Sequence, residues 1–156
     1  MATNDDERFM RIAIDEALDG LSKGDQPFGA VLAKDGEVIA TGRNLEYSTF
    51  DPTAHAETMA LRNAGTSTKT LRFPGSTLYA SWEPCPMCLG AIMAAGCARL
   101  VLGGRTSGKH GQYGNYRVET LIELAEFGDR LSVTTGVLNE ESERFVNEWR
   151  QREGTA

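Results

Sequence analysis

The sequence predicts an α/β fold in which a five-stranded mixed sheet is covered by helices on both faces. Patterns typical of helices alternate with short β-prone runs, which favours a layered fold with some parallel strand pairing. Two β-prone runs joined through Asp35-Gly36 predict an antiparallel hairpin, which makes the sheet mixed. The chain has 156 residues, 40% of them hydrophobic, and we expect residues 1–156 to form a single domain with its own core.

The first helix is predicted over residues 7–23, where apolar residues recur at helical spacing and Gly24 ends the pattern. The second is predicted to begin at Asp51-Pro52 and to stop at Gly65, because aspartate caps helix N-termini and proline suits the first helical position. Further helices are predicted over residues 84–95, 118–127 and 140–152. The strands are predicted over residues 28–33, 38–41, 76–82, 100–102 and 131–135, and a glycine-rich loop over residues 103–116.

Composition and charge exclude several classes of protein. No run of about 18 apolar residues is present, which excludes a transmembrane helix, and the polar residues 1–7 do not resemble a secretory leader. We therefore expect a cytoplasmic protein without a membrane partner. The formal charge of −6 argues against a protein whose main task is to bind nucleic acid by its phosphates. Arg150 and Arg152 could contact phosphate, but a solvated helix face is the simpler interpretation.

Two of the three cysteines, Cys85 and Cys88, lie at the start of a predicted helix at a spacing that turns both sulfurs to one side. The partial positive charge of a helix N-terminus favours thiolates, which bind zinc well. His55 lies in the first turn of another predicted helix, so two helix N-termini could deliver one nitrogen and two sulfurs to one ion. Three protein ligands leave a fourth position for water, which is typical of catalytic zinc.

Other interpretations of these residues stay open. The Cys-x-x-Cys spacing also occurs in redox pairs, although here it does not follow the first strand of a βαβ unit. A non-catalytic, zinc-stabilised module would need a fourth protein ligand, for which Cys97 or His110 is available. Without that role, Cys97 is expected to be an inert core residue.

Glu57 follows His55 by two residues, which corresponds to about 200° of rotation on a helix. Glu57 is therefore poorly placed to share a metal with His55, but it could stand beside a bound water. A carboxylate there can take a proton from the water and return it to a leaving amine. Zinc lowers the pKa of bound water to about 7, so the set suits hydrolysis of an amidine-type C–NH₂ group.

The His-x-Glu and Pro-Cys-x-x-Cys segments, about thirty residues apart, match the signature of zinc deaminases. Residues 27–31, 51–57 and 83–92 resemble the first strand and the two metal motifs of the cytidine deaminase superfamily, and the resemblance covers nearly the whole chain. It implies a three-layer α/β/α sandwich, a homodimer, and hydrolysis of an amino group to a carbonyl with release of ammonia.

The same resemblance implies one zinc ion per chain, with Glu57 as the catalytic proton shuttle. The implied zinc ligands are His55, Cys85 and Cys88.

Three branches of the superfamily are similar to the chain. Residues 51–57 occur in guanine deaminases and tRNA adenosine deaminases, and residues 88–92 resemble guanine deaminases. Residues 96–103 look more like cytosine deaminases, and residues 131–141 resemble cytosine and tRNA deaminases. Residues 106–114 lack the acidic residues that guanine deaminases carry. We therefore expect a deaminase of a free nucleobase or similar heterocycle, leaning to cytosine, with guanine and tRNA adenosine as alternatives.

The resemblance to cytosine deaminases implies that Asn44 holds the base, since its amide offers both a donor and an acceptor. From the residues alone, Asn44 equally suits a turn after the second strand. The resemblance also implies base contacts from the backbone N–H of Ala56 and the backbone carbonyl of Glu83. Phe28 is expected to wall the pocket or to pack in the core.

Aromatic residues of the glycine-rich loop and the last helix could close over the base and exclude water. These candidates are His110, Tyr113, Tyr116 and Trp149. The helical spacing of Trp149 from Phe145 favours packing over a place in the pocket.

Overall fold

The computed structural model of the protein describes residues 2–106 and 112–154. The helices are α1 (Asn4–Ser22), α2 (Glu46–Thr49), α3 (Ala56–Thr68), α4 (Pro86–Ala95), α5 (Val118–Leu124) and α6 (Asn139–Glu153). The strands are β1 (Gly29–Lys34), β2 (Glu37–Arg43), β3 (Thr77–Trp82), β4 (Arg99–Gly104) and β5 (Ser132–Thr134). None of the helices in these described ranges combines the length and the apolar character needed to cross a bilayer.

The strands form one sheet in the order β2-β1-β3-β4-β5. Strand β1 pairs antiparallel with β2 and β3, whereas β4 runs parallel to β3 and β5. The predicted hairpin is present, and its turn places Asp35 at φ 52° and Gly36 at φ 77°, the left-handed region that tight hairpin turns require. The prediction of a five-stranded mixed sheet is confirmed.

Each face of the sheet buries its own apolar cluster, because successive side chains of a strand point to opposite faces. On one face, Tyr79 and Val101 pack with residues of α1 and α6. On the other, Leu78 and Leu100 pack with residues of α3, α4 and α5. The sheet therefore lies between two helical layers, which confirms the α/β/α sandwich.

At one edge of the sheet, formed by the ends of its strands, lie the segments that follow β2 and β3 and the segment that precedes β1. Gly29 at the start of β1 pairs with Arg43 at the end of β2, and Ala30 pairs with Ala80 near the end of β3. The carboxyl end of β3 also lies here, beside its parallel neighbour β4. In α/β sheets, ligands bind outside the carboxyl ends of parallel strands. This edge is therefore where a binding site is expected.

The start of α3 corrects the predicted helix boundary. The helix begins at Ala56, not at Asp51-Pro52, because Asp51 folds the preceding residues into a turn. The Asp51 Oδ1 accepts hydrogen bonds from the backbone N–H of Thr53 at 2.8 Å and from its hydroxyl at 2.7 Å. His55 is consequently the N-cap residue of α3 and not a residue of its first turn.

Two further differences from the predicted helices concern α2 and the end of α3. The one-turn helix α2 was not predicted, and it lies directly after β2. Helix α3 continues past Gly65 to Thr68, because the N–H of the left-handed Lys69 closes onto the Gly65 carbonyl at 2.9 Å. Glycine inside a helix costs about 1 kcal/mol relative to alanine, which tertiary packing readily offsets.

Gly42 sets how closely β2 approaches the start of α3. A Cβ at this position would overlap the carbonyl oxygen of Ala56 and the backbone nitrogen of Ala60. Gly42→Ala is therefore expected to lower the free energy of unfolding by about 1–3 kcal/mol or more, since backbone atoms cannot move aside as a flexible side chain can. Denaturant unfolding of the purified variant measures this loss.

Gly90→Ala is the matched control, because Gly90 lies inside helix α4 and a Cβ there meets no heavy atom within 4 Å. This variant should gain up to about 1 kcal/mol from the better helix propensity of alanine. Equal stabilities of the two variants would contradict the close approach at Gly42.

Candidate metal centre and pocket

His55 and Cys85 hold equivalent positions on two neighbouring helices, for each is an N-cap residue with extended backbone. Cys88 lies in the first turn of α4, which begins with Pro86. The two helices contact each other, so their N-termini meet at the edge of the sheet described above. The prediction that two helix N-termini bring these three residues together is confirmed.

The ligand atoms of His55, Cys85 and Cys88 lie within 4.8 Å of one another. The Cys85 Sγ lies 3.4 Å from the His55 Nδ1, which identifies Nδ1 as the ring nitrogen that faces the cluster. One imidazole nitrogen and two sulfurs form a donor set that zinc prefers, and a set of three leaves a fourth position open. These residues fit a zinc ion of the catalytic type.

The thiol of Cys97 lies elsewhere, within the apolar cluster beneath α4. Burial raises its pKa, as expected for an inert core thiol. Among the described residues, no cysteine, histidine or carboxylate joins the three as a fourth member of the cluster. His110, the other residue considered for that position, lies outside the described residues.

Of the two cysteines in the cluster, Cys85 loses its proton first. A hydrogen bond from the Cys88 thiol, aided by one from His55, lowers the pKa of Cys85 to about 4. The same hydrogen bond and burial raise the pKa of Cys88. The hydrogen bond to Cys85 raises the pKa of His55 to about 9, although burial opposes this change. A cation between the sulfurs would neutralise this charge.

Glu57 lies in the first turn of α3 and lines the pocket in front of the cluster. The residue is only 6% exposed, and burial raises the pKa of its carboxyl. A carboxyl group that binds a proton more readily than usual is suited to accept and return protons near neutral pH.

The pocket in front of the cluster has a volume of about 410 Å³, within the range of small-molecule sites. Five of the predicted substrate-binding residues line it, namely Phe28, Asn44, Ala56, Glu83 and Tyr113. Tyr116, also predicted as part of a lid, lines the pocket as well, and its hydroxyl donates to the Pro84 carbonyl at 2.7 Å.

Phe28 fulfils both of the roles considered for it, since it lines the pocket and packs against two apolar clusters. The Trp149 ring lies edge-on behind Phe28 at a centroid distance of 5.9 Å. Trp149 is not one of the pocket-lining residues, so the structure places it in packing and not in a lid.

The Glu83 side chain has a function that sequence reasoning missed. Its Oε1 accepts hydrogen bonds from the Arg105 Nη2 at 3.0 Å and from the Val118 backbone N–H at 3.1 Å. A second ion pair joins it to Arg117 at 3.6 Å. Through these contacts Glu83 links the segment after β4 and the start of α5 to the Pro-Cys motif. The sequence signal was an acidic residue between a strand end and that motif.

Other pocket residues were not predicted to line it. They come from distant segments and are Gln26, Glu46, Trp82, Thr106, Gln112, Arg117 and Arg150. The Arg150 guanidinium lies 4.9 Å from the centroid of the Trp82 ring, a cation–π contact between α6 and the end of β3. Arg150 thus belongs to the pocket and not to a purely solvated helix face.

Comparison with known proteins gives one family and several relatives. The family model for the "Cytidine and deoxycytidylate deaminase zinc-binding region" matches residues 3–104. The chain is 38% identical over 136 residues to the tRNA-specific adenosine deaminase of Bacillus subtilis (strain 168), covering 87% of this chain and 83% of that protein. It is 47% identical over 87 residues to the guanine deaminase of the same organism, covering 55% of this chain and 56% of that one.

The structure resembles that of the guanine deaminase from Nitrosomonas europaea, with a TM-score of 0.82 and 26% identity over 97% of this chain and 86% of that one. These relatives do not support the expectation of a cytosine-type substrate. Two of the segments behind that expectation, residues 96–103 and 131–141, belong mainly to β4, β5 and the ends of helices. Neither of these two segments lines the pocket, whereas Thr106 and residues 112–114, from the segment that argued against guanine, do line it.

Proposed function

The chain belongs to the cytidine and deoxycytidylate deaminase family, whose zinc-binding region spans residues 3–104, and we propose that it deaminates an adenosine base in tRNA. Family membership identifies it as a zinc-dependent hydrolase that removes an amino group. One observation carries the proposed substrate: the 38% identity to a tRNA-specific adenosine deaminase extends over 87% of this chain and 83% of the relative.

The pocket supports a nucleotide substrate through the chemistry of its walls. Phe28, Trp82 and Tyr113 offer aromatic surfaces on which a base can stack. Arg117 and Arg150 place guanidinium groups on the same pocket, and guanidinium suits phosphate. The guanidinium groups suit a base that arrives attached to a sugar and phosphate, whereas the aromatic surfaces suit any base.

His55, Cys85 and Cys88 would hold the zinc ion, which supplies a water whose pKa is lowered to about 7. Glu57 is the proton carrier in this proposal. Its carboxylate takes a proton from the attacking water and transfers it to the ring nitrogen beside the amino group. It then carries the second proton of the water to the leaving amine, so water and the C–NH₂ group become a carbonyl and ammonia.

The backbone around these groups would orient the base. The N–H of Ala56 is among the first N–H groups of α3. No carbonyl of the same helix is in position to accept a hydrogen bond from these groups. Together with the Glu83 carbonyl, it would present a donor and an acceptor to the edge of the base. The aromatic walls would exclude bulk water from the reacting carbon.

Guanine is the second candidate, and the charge of the chain favours it. A formal charge of −6 is unfavourable for a protein that must approach a polyanion, whereas a free base carries no such cost. A guanine deaminase is also among the relatives, at 47% identity over 87 residues.

Measuring ammonia release on tRNA, guanine and cytosine, at roughly 150 mM salt, distinguishes these substrates. We expect inosine to form in tRNA, at a rate that falls as salt is raised, because phosphate contacts release counterions. Turnover of guanine alone would replace the first candidate with the second. Turnover of cytosine alone would overturn both, and Glu57→Gln protein is the control for contaminating deaminases.

A further inference from the structure

Glu46 is an ionisable residue of the pocket for which the metal motifs give no role. It is the first residue of the short helix α2. Its carboxylate lies between two side chains of the site, with Oε1 3.5 Å from the His55 Nε2 and Oε2 accepting a hydrogen bond from the Asn44 Nδ2 at 2.6 Å. Each carboxylate oxygen thus has its own partner.

The ring of His55 can bind a metal through only one of its nitrogens at a time. Its Nδ1 faces Cys85 and is the nitrogen available to the cluster. Nε2 must then carry the ring proton and needs an acceptor. Carboxylates commonly fill this position behind metal-binding histidines, where they fix both the tautomer and the orientation of the ring.

We propose that Glu46 is a positioning residue, which accepts the Nε2–H of His55 and thereby holds the Nδ1 lone pair toward the metal. The 3.5 Å separation is that of an ion pair, and a closure of about 0.6 Å would make an ordinary hydrogen bond. Glu46 is not a metal ligand, since the cluster in the described residues contains only His55, Cys85 and Cys88.

The backbone of α2 is held in place by the buried carboxylate of Asp25. Asp25, which is 2% exposed, accepts hydrogen bonds from the backbone N–H groups of Tyr47 at 3.1 Å and Ser48 at 3.0 Å. The Leu45 N–H donates to the Ala54 carbonyl at 2.9 Å, directly before His55. These contacts set Glu46 relative to His55 before any ligand binds.

Asn44 supports Glu46 from the other side. In addition to the bond from its Nδ2, its Oδ1 accepts the Glu46 backbone N–H at 3.1 Å. The amide of Asn44 is therefore engaged at both ends by one neighbour. Asn44 therefore lines the pocket and forms the turn after β2, whereas the predicted contact with a base would need the donor and the acceptor that Glu46 engages here.

The test measures metal binding in the absence of substrate. Purified Glu46→Ala protein should bind zinc about 10- to 100-fold more weakly in competition with a chromophoric chelator. Its cobalt-substituted form should show a shifted visible spectrum, because the imidazole is no longer held in one orientation. Glu46→Gln keeps one acceptor oxygen and should lie between Ala and the wild type.

Glu140→Ala is the matched control, since Glu140 is an exposed glutamate in the first turn of α6. It should leave zinc affinity and the cobalt spectrum unchanged. If the Glu46→Ala protein fails to fold, the Gln variant alone decides the question. Wild-type zinc affinity and spectrum in the Glu46 variants that fold, with a change only in KM, would make Glu46 a substrate contact and overturn the proposal.

The inference rests on the zinc site of the proposed function but not on its substrate. A wrong substrate would leave the zinc measurements as predicted. Failure of the zinc site itself would appear as a wild-type protein that binds no zinc.

Discussion

Glu57→Gln protein is expected to retain about one zinc ion per chain and to lose at least about 10²-fold in kcat, the usual contribution of a general acid–base group. Burial raises the pKa of this carboxyl, which favours uptake of a proton from the attacking water. An amide of the same shape cannot carry that proton. Ammonia release on the substrate found active and metal analysis of the same preparation measure the two quantities.

Glu123→Gln makes the same chemical change at an exposed position of α5 and should match the wild type in both measurements. Wild-type turnover by the Glu57→Gln protein would remove Glu57 from the mechanism. Loss of its zinc would instead make Glu57 a part of the metal site.

Cys88→Ser protein should lose its zinc and, with it, all measurable turnover. The Cys88 side chain is fully buried at the start of α4, where its sulfur lies within 4.8 Å of the other two ligand atoms. A serine hydroxyl does not ionise at neutral pH and cannot replace the thiolate that zinc requires. Metal content after dialysis and the increase in melting temperature on adding zinc measure the loss.

Cys97→Ser is the matched control, because it makes the same substitution at another buried cysteine. It should keep its zinc, and at most lose about 1–3 kcal/mol of stability from burying a hydroxyl. If Cys97→Ser also released the zinc, Cys97 would be a fourth ligand. The ion would then be structural, and the chain would be a zinc-stabilised module instead of an enzyme.

The spacing within each metal motif could be predicted because it depends on short-range geometry, whereas the joining of the two motifs at one site was implied by the resemblance to zinc deaminases. Cys85 and Cys88 are close in sequence at a helix start, and Pro86 marks where that helix begins. The His-x-Glu segment places His55 and Glu57 within one turn of each other. Short-range geometry of this kind is set by the helical repeat and needs no knowledge of the rest of the fold.

The start of α3 was harder to predict from the sequence, because Asp51-Pro52 favours both a helix start and a turn. The turn forms because the Asp51 carboxylate accepts hydrogen bonds from the backbone N–H and the hydroxyl of Thr53. His55 is therefore the N-cap residue of α3 and not, as predicted, a residue of its first turn. Cys85 has the same N-cap position on α4.

The sequence by itself determined the fold class and the local spacing of the three side chains that can hold a metal and of the carboxylate beside them. Only the tertiary structure decided what surrounds these side chains. Glu46, Trp82 and Arg150 belong to three segments far apart in the chain, and they meet because the hairpin, the end of β3 and helix α6 converge on one edge of the sheet. Choice of substrate depends on such walls, and no periodicity or spacing within a single segment encodes contacts between segments so distant in sequence.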